Sequence, residues 1–590
     1  MGSISLELPQ GSLTPQTVDS GKYCSDVSAA EPIAIIGMAM RLPGRVRTSE
    51  EFWQLMVEKR SGLCDTPKDR FNIAGFHHPA GKPGTLHQKQ AYYLQDIEIQ
   101  DYDVAAFPLN RKELERLDPN QRQLLQVAYE CMEDAGVTSW RGSNLGCFIG
   151  TNSEDWNDLN SKETQHRGGF RGTGQGDYIM ANRLSYHFNL RGPSTAVKTA
   201  CSSSLVGLDL ACQSVRNLEC DGALVGGASL MFSPTAWQGL QDQGLLSPTG
   251  TCKTFDAAAD GYARGEAINM IYIKRLKDAV RDGNQIRAVI RSTAVNANGR
   301  DRGRALPVPD KNAQAALIRQ AYGLAGISET AMVECHGTVT FDQHKLRVPI
   351  ETEEWPQGRA RRISVNSFGV GGVNAHVILE APSEHGIATK IKKTNFAPFN
   401  GTSNGISNAT PNGSSDSISN RTSDDTPNGA TGGTNNGAST NSVNKSVPCD
   451  PSSDTLINFS TENVNDDSLP ANNVSLVHPK YNQATSNGSI KHIDDNDTTS
   501  IEAPPTQCST EPSLLLFSAF SSAAVESHFN ICKDTWGSQN ENVASLSDLA
   551  YTLSSRREQK PYRAFSVTND ASKVEISTTQ MASEVTPHVV

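Results

Sequence analysis

One break in composition limits what this chain can fold into more than any other feature does. Up to about Ala388 apolar residues recur at the density of folded protein. The stretch beyond, exemplified by "NGTSNGISNATPNGSSDSISNRTSDDTPNGATGGTNNGAST", is almost bare of them. Such a sequence cannot bury enough surface to offset its ordering entropy. The expectation is a folded body over 31–383, a disordered Asn/Ser/Thr/Gly-rich linker over 384–511, and a small α/β piece over 512–570. Polar tails, 1–30 and 571–590, flank them. The N-x-S/T triplets at Asn408, Asn412 and Asn473 are what this composition produces by chance.

Charge and cysteine usage exclude several classes. The net charge is −11 and no basic block stands out, which argues against nucleic acid or an anionic membrane as main partner. No apolar run approaches the roughly 18 residues of a membrane span. The N-terminus "MGSISLELPQ" lacks the basic start and apolar core of a secretory signal, and Leu6 stands where a myristoylation pattern needs Ser or Thr. Twelve cysteines are scattered with no CxxC pair and no zinc spacing, which reads as free thiols in a reducing, cytoplasmic compartment with no metal.

Within the body, helical and strand patterns alternate, favouring a layered α/β architecture. "EPIAIIGMAM" contains a β-rich run from Ile33 to Ile36, ending at Gly37, with no GxGxxG after it. In "DPNQRQLLQVAYECMEDAG", Leu124, Leu125, Ala128, Cys131, Met132 and Ala135 share one helical face, and Gly136 suits a C-cap. "NLGCFIGT", "GALVGGASLMF" and "AINMIYIKRL" read as buried strands. In the terminal piece "LLLFSAF" reads as a strand and "SLSDLAYTLSSRR" as a helix, with Ser545 and Asp548 spaced as a capping box. That piece is too short for a large core of its own.

"VKTACSSSLVGL" sets Cys201 between a β-prone run and a helical one, since Leu205, Leu208, Cys212 and Val215 follow at helical spacing. Unpaired amides at a helix start stabilise a thiolate and can receive a developing oxyanion. Alone, such a cysteine is as readily a small core residue. Its neighbours decide. "NRLSYHFNLRGPS" before it and "LACQSVRNLECDGALVGGASL" after it resemble the active-site region of β-ketoacyl synthases, with the ketosynthase of fungal highly reducing polyketide synthases as the nearest likeness. "EPIAIIGMAMRLPG", "LDPNQRQLLQVAYECMEDAG", "CKTFDAAADGYARGEA" and "VNSFGVGGVNAHVILE" resemble that family's blocks, in the same order.

The resemblance implies a thiolase-like αβαβα sandwich of two similar βαβαβ halves, dimeric in most members. It implies that Cys201 takes the acyl chain as a thioester and that a carrier-bound malonyl group, losing carbon dioxide, supplies the attacking carbanion. His336, in "VECHGTVT", is similar to the histidine of an HGTGT motif and would stabilise the enolate; Val339 replaces that motif's second glycine. "NSFGVGG" resembles the loop whose backbone shares the oxyanion hole, so Phe368, Gly369, Val370 and Gly371 are expected at the substrate. Val370 stands where an aromatic gate is usual, and Val373 where a threonine is. Asp260, Arg264 and Glu266 would form a buried network supporting the site. Lys198 would either favour the Cys201 thiolate or face solvent. The implied partners are an acyl-carrier protein bearing phosphopantetheine and an acyltransferase, both supplied in trans. No cofactor is expected on this chain itself.

One departure from the family is large. After HGTGT the family continues into a buried strand, then a lysine and a second histidine in a K-x-N-x-G-H block, then a long helix. Here "HGTVT" runs almost directly into "FDQHKLRVPIETEEW", and neither His344 nor His376 matches the second histidine. The expectation is an incomplete C-terminal half, with a segment absent near 340–345. The tail "LLLFSAF…LSDLAYTLSSRREQKPYRAFSV" resembles the start of the domain linking a ketosynthase to an acyltransferase, and the chain is expected to be truncated there. Two functional readings follow: a ketosynthase fragment performing decarboxylative Claisen condensation, or an inactive remnant serving at most as a dimerisation module. A Cys–His hydrolase is a third, disfavoured by the flanking blocks.

Overall fold

The seam of the molecule is strand β1 (Ile33–Arg41), nearly every residue of which is buried. A run this apolar must be covered on both faces. It pairs antiparallel with β5 (Ala267–Arg275) along most of its length and with β6 (Ala288–Ala297) over Ile33–Ile35. The strand runs past Gly37, where the sequence suggested its end, because a bulge between Ile35 and Gly37 resets the register. A Cβ at Gly37 would lie 2.4 Å from the Cys131 carbonyl, so glycine is what lets helix α2 (Pro119–Asp134) settle on the strand.

This computed structural model describes residues 31–388, 512–537, 546–568, 575–577 and 579–581, apart from 96, 98, 101, 153, 162–168, 301–304, 338–347 and 350. The 1–30 tail, most of the 571–590 tail and most of the 384–511 stretch lie outside the described residues, as do Val339, His344 and Ser545 of the capping box; within the 571–590 tail, Gln580–Met581 pairs antiparallel with Tyr562–Arg563. The remaining strands of the main sheet are β2 (Leu145–Thr151), β3 (Ser194–Val197), β4 (Gly222–Ser229), β7 (Met332–Glu334), β8 (Arg362–Phe368) and β9 (Val373–Glu380). Their order is β3-β2-β4-β5-β1-β6-β9-β8-β7, one nine-stranded mixed sheet.

The sheet is a repeat. In the first half, β1 leads through α2 to β2, which is parallel to β4; β4 then turns into antiparallel β5. In the second, β6 leads through α5 (Lys311–Ala325) to β7, which is parallel to β8; β8 turns into antiparallel β9. Among the described residues, β3 and the helices around it have no counterpart. The chain from Thr151 to Gly222 passes through α3 (Ile179–Phe188), β3 and α4 (Ser203–Arg216), whereas the path from Glu334 to Arg362 is less than half as long.

Helix α2 begins at Asp118, whose side chain accepts from the Asn120 amide, with Pro119 at the first helical position, and ends before Gly136 at φ +63°. Its predicted face is buried in the largest core with β1, β2 and β5. Helix α4 packs on β2 and β4 and reaches across to β6 and β9, so it is the layer that both halves share.

The terminal piece forms a small antiparallel sheet, β10 (Ser513–Ala519) with β11 (Tyr562–Thr568), covered by α6 (Ser522–Gly537) and α7 (Leu546–Ser555). Its core is small: Leu515, Phe517, Val525, Phe529, Leu553 and Ala564. It leans on the first half. The Lys560 ammonium lies 4.3 Å from the Tyr129 ring centroid and 4.8 Å from that of Phe520, and Arg556 donates to the Gly283 carbonyl at 3.2 Å. Arg557 donates to the Glu133 carbonyl.

Candidate active site

Cys201 sits in a single 3₁₀ turn, Ala200–Ser202, between β3 and α4. The chain makes that turn with Ala200 at φ +58°, a left-handed conformation that an alanine adopts only under tertiary constraint. The constraint is visible. The Ser203 hydroxyl donates to the Ala200 carbonyl at 2.6 Å and accepts from the Thr199 amide at 2.8 Å, and the Ser202 hydroxyl donates to the Thr199 carbonyl. Cys201 is exposed, whereas Cys131, Cys147, Cys212 and Cys220 are buried and burial pushes their thiols up, those of Cys147 and Cys212 to about 12.

The β8–β9 turn closes over this element. The Ser367 hydroxyl donates to the Cys201 carbonyl at 2.8 Å. A Cβ on Gly369 would lie 2.3 Å from the Thr199 carbonyl oxygen, so the turn can approach this closely only as glycine. The amides of Gly369 and Gly372 bond within the turn; those of Cys201 and Val370 have no partner among the described residues.

Cys201, His336, Phe368, Gly369 and Val370 line one cavity of about 770 Å³. Gly371 does not line it; its neighbour Gly372 does, packed on the Asn298 side chain. His336 follows β7, and its ring meets that of Phe368 edge-on at 5.8 Å. Burial holds its imidazole below the ordinary pKa, and no hydrogen bond joins it to Cys201.

One supporting expectation is corrected and another is resolved. Asp260, Arg264 and Glu266 do not share one network. Glu266, fully buried, takes Arg70 through two hydrogen bonds of 2.8 and 2.9 Å and accepts from the amides of Leu94 and Met231. Asp260 instead pairs with Lys253 at 2.5 Å, and Arg264 lies within electrostatic reach of Asp155. Sheet closure put Arg70, remote in sequence, nearer to Glu266 than its own neighbours. Lys198 faces solvent, the second of its two expected readings, and is paired there with Asp177 and Glu154. Burial works against its charge, but bonds to Asp177 and Glu154 outweigh this and raise its pKa.

The cavity's other wall was missed in the sequence. Cys252, Lys253, Thr254 and Tyr262, with Asn298 and Asn374, also line it. The Thr254 hydroxyl donates to the Gly337 carbonyl at 3.2 Å, tying this wall to the His336 loop. Tyr262 is held by a backbone bridge to Leu246, and burial pushes its phenol pKa up. The signal was present, since "CKTFDAAADGYARGEA" is a family block, but a mixed polar loop carries no period that says which side chains turn inward. Among the described residues no cluster of His, Cys, Asp and Glu is arranged to hold a metal ion, and no helix is long and apolar enough to cross a membrane.

A cysteine at a strand–helix turn, a glycine turn over it and a histidine thus meet at one cavity within a duplicated mixed sheet. Comparison with known proteins identifies the family. Residues 30–279 match the family described as the β-ketoacyl synthase N-terminal domain, and residues 337–419 match the ketoacyl-synthetase C-terminal extension. The highly reducing polyketide synthase lcsB of Purpureocillium lilacinum is 42% identical over 647 residues, covering 93% of this chain and 23% of that protein. The highly reducing polyketide synthase gloL of Glarea lozoyensis is 40% identical over 454 residues, covering 65% of this chain and 18% of that protein. The chain thus spans under a quarter of the length of either relative. Among solved structures, the ketosynthase from module 6 of the bacillaene synthase of Bacillus subtilis 168 shares the fold at a TM-score of 0.62 and 22% identity, covering 92% of this chain and 83% of that one. A ketosynthase domain for oxazolomycin from Streptomyces albus JA3453 does so at 0.61 and 22%, covering 92% and 86%. The chain belongs to the β-ketoacyl synthase family, acyl-transferring condensing enzymes with a thiolase-like fold.

Proposed function

We propose that this chain is the ketosynthase part of a polyketide synthase, with Cys201 as the acyl acceptor. The Cys201 thiolate attacks an acyl thioester, the donor thiol leaves, and the chain is held as a Cys201 thioester. A malonyl thioester then loses carbon dioxide, and the resulting enolate carbon attacks the acyl carbon and expels the Cys201 sulfur. His336 would donate to the enolate oxygen. The unpartnered amides of Cys201 and Val370 would receive the oxyanion formed on the acyl carbon. Phe368 and Gly369 would shape the acyl entrance, and Val370 leaves it wider than an aromatic gate would.

The observation that carries this reading is the meeting of Cys201, His336 and the β8–β9 turn at one cavity, from elements far apart in the chain. The substrates would arrive on the phosphopantetheine arm of an acyl-carrier protein, with an acyltransferase acting in trans and the chain working as a cytoplasmic homodimer. The body at 31–383, the linker at 384–511 and the docked piece at 512–570 are the domain organisation that goes with it.

A second reading, a remnant that no longer condenses, is favoured by a specific observation: the second half lacks a counterpart of β3 and α4 among the described residues. The alignment to the Glarea relative supports it, running over 454 residues while using only 65% of this 590-residue chain, so that relative carries residues this chain lacks. Losing one positioned donor typically slows such chemistry by about 10²- to 10⁴-fold. Acylation, which needs Cys201 and the oxyanion amides, would survive that loss better than decarboxylation.

The test is mass analysis of the Cys201 peptide after incubation with an acyl thioester, then with malonyl-loaded carrier. An acyl adduct is expected. Its absence would sink the ketosynthase reading, and an adduct that never becomes β-ketoacyl product would select the remnant.

A further inference from the structure

Condensation needs the acyl–sulfur bond to outlast the wait for a carbon nucleophile, which requires that water be kept from it. This site is poorly built for that. Cys201 is exposed, the cavity it lines is wide, and Val370 at its rim is itself 43% exposed. The same cavity holds a base. His336 has no hydrogen-bond partner on either ring nitrogen among the described residues. Burial depresses its pKa, so at neutral pH the ring is uncharged and able to accept a proton. Among the described residues the other polar side chains of the cavity are Lys253, which is engaged by Asp260 and Thr249, the Cys252 thiol, the Asp256 carboxylate, which accepts from the Ala258 amide, and the hydroxyls and amides of Thr254, Tyr262, Asn298, Gln314 and Asn374; none of them is a carbon nucleophile.

We propose that water, activated at His336, turns over the Cys201 acyl-enzyme, so that this chain hydrolyses acyl thioesters. The inference rests on the acylation proposed above and adds a fate for the acyl group. In the first step the Cys201 sulfur, giving up its proton, adds to the thioester carbonyl, the C–S bond to the donor thiol breaks, and that proton leaves on the departing thiol. In the second, a water molecule gives a proton to the free nitrogen of His336 and its oxygen adds to the acyl carbon. The tetrahedral oxyanion is received by the Cys201 and Val370 amides. It collapses with cleavage of the C–Sγ bond, and His336 returns the proton to Sγ. The sum is thioester plus water giving carboxylic acid plus thiol, with no change of oxidation state. The substrate class is acyl chains on pantetheine-like thiols, because Leu245, Phe255, Pro309 and Phe368 give the cavity an apolar wall beside its polar one.

The full chain should be incubated with an acyl N-acetylcysteamine thioester in ¹⁸O-enriched water, following released thiol and intact protein mass together. The expected result is thiol release continuing past ten equivalents per chain, one ¹⁸O atom in the acid, and no release above background in Cys201→Ala. Turnover should fall on acidification through the His336 pKa, which lies below the ordinary imidazole value. His336→Gln should accumulate the acyl adduct, with unchanged alkylation of Cys201 by iodoacetamide showing that the pocket is intact. His336→Ala provides a second variant on the same readouts. One equivalent of thiol followed by a stable adduct in the native chain would overturn hydrolysis while leaving the acyl-acceptor reading in place. Neither adduct nor thiol above the Cys201→Ala background would overturn both. Variants at His336 that release acid as fast as the native chain would overturn the role of that imidazole and the proposal with it.

Discussion

The two halves of the sheet follow one plan and reach different degrees of closure. Strand β2 is buried at every residue, while its counterpart β7 is exposed or half-exposed at all three. Helix α2 buries eleven residues and its counterpart α5 buries three. Strand β4 is mostly buried, and β8 has a single fully buried residue. In the first half β3 flanks β2 and α4 covers β2 and β4. In the second, among the described residues, β7 is the sheet edge and its Met332 is 46% exposed. A strand with one neighbour keeps unpaired backbone groups and uncovered side chains. The first half is therefore the more closed scaffold that carries Cys201, and the second brings His336 and the glycine turn to it from a less closed element.

Four experiments would break or sharpen that contrast. The largest effect is expected from Cys201→Ala, which should abolish the acyl adduct entirely while leaving thermal stability within about 0.5 kcal/mol, as for an exposed position. Stability lost along with the adduct would show that the cysteine turn also holds the halves together. Next, native-state amide exchange should separate the halves, with amides of β7, β8 and α5 opening about 10²-fold or more faster than those of β1, β2 and β4. A single uniform opening rate across the sheet would refute unequal closure. Third, Gly369→Ala should slow acylation about tenfold or more, because the added methyl meets the Thr199 carbonyl and pushes the turn off Cys201; first-half exchange rates should not change.

The smallest effect concerns pH. His376 on β9 is buried, bonded through Nδ1 to Asn366 at 2.8 Å, with Nε2 unpartnered, and burial lowers its pKa to about 4. Its folded value lies below the ordinary 6.5, so the unfolded chain binds the proton first. The stability it contributes is present above about pH 6.5 and is lost as pH falls towards 4. Second-half exchange should accelerate over that window, and His376→Gln should remove that acceleration while leaving first-half exchange, where buried His187 is depressed to about 4 as well, unchanged. Second-half exchange in His376→Gln that accelerates as in the native chain would rule this out.

Much of the first half was legible because its elements are long and regular. The α2 face, β2, β4 and β5 follow from apolar period alone, and Gly136 ended the helix where its left-handed φ requires. Cys201 at a strand–helix junction was equally readable, since helical spacing starts right after it. The short strands β3 and β7 were legible only as β-prone runs before Cys201 and His336; four and three residues carry too little period to fix their bounds. The side chains of the 244–263 wall, Tyr262 among them, were also hidden, because which side chain of a loop faces a cavity depends on what packs behind it.

The sequence by itself determined the family, the shortened path between β7 and β8, and the break in composition near 388. Each is a local property: spacing, residue type or chain length. Only the tertiary structure decided that Glu266 belongs to Arg70, that Lys198 belongs to Glu154 and Asp177, and that His336 shares a cavity with Cys201 without bonding to it. Those pairings arise when a nine-stranded sheet closes residues remote in the chain onto one another, and no periodicity along the chain encodes which remote residue will arrive.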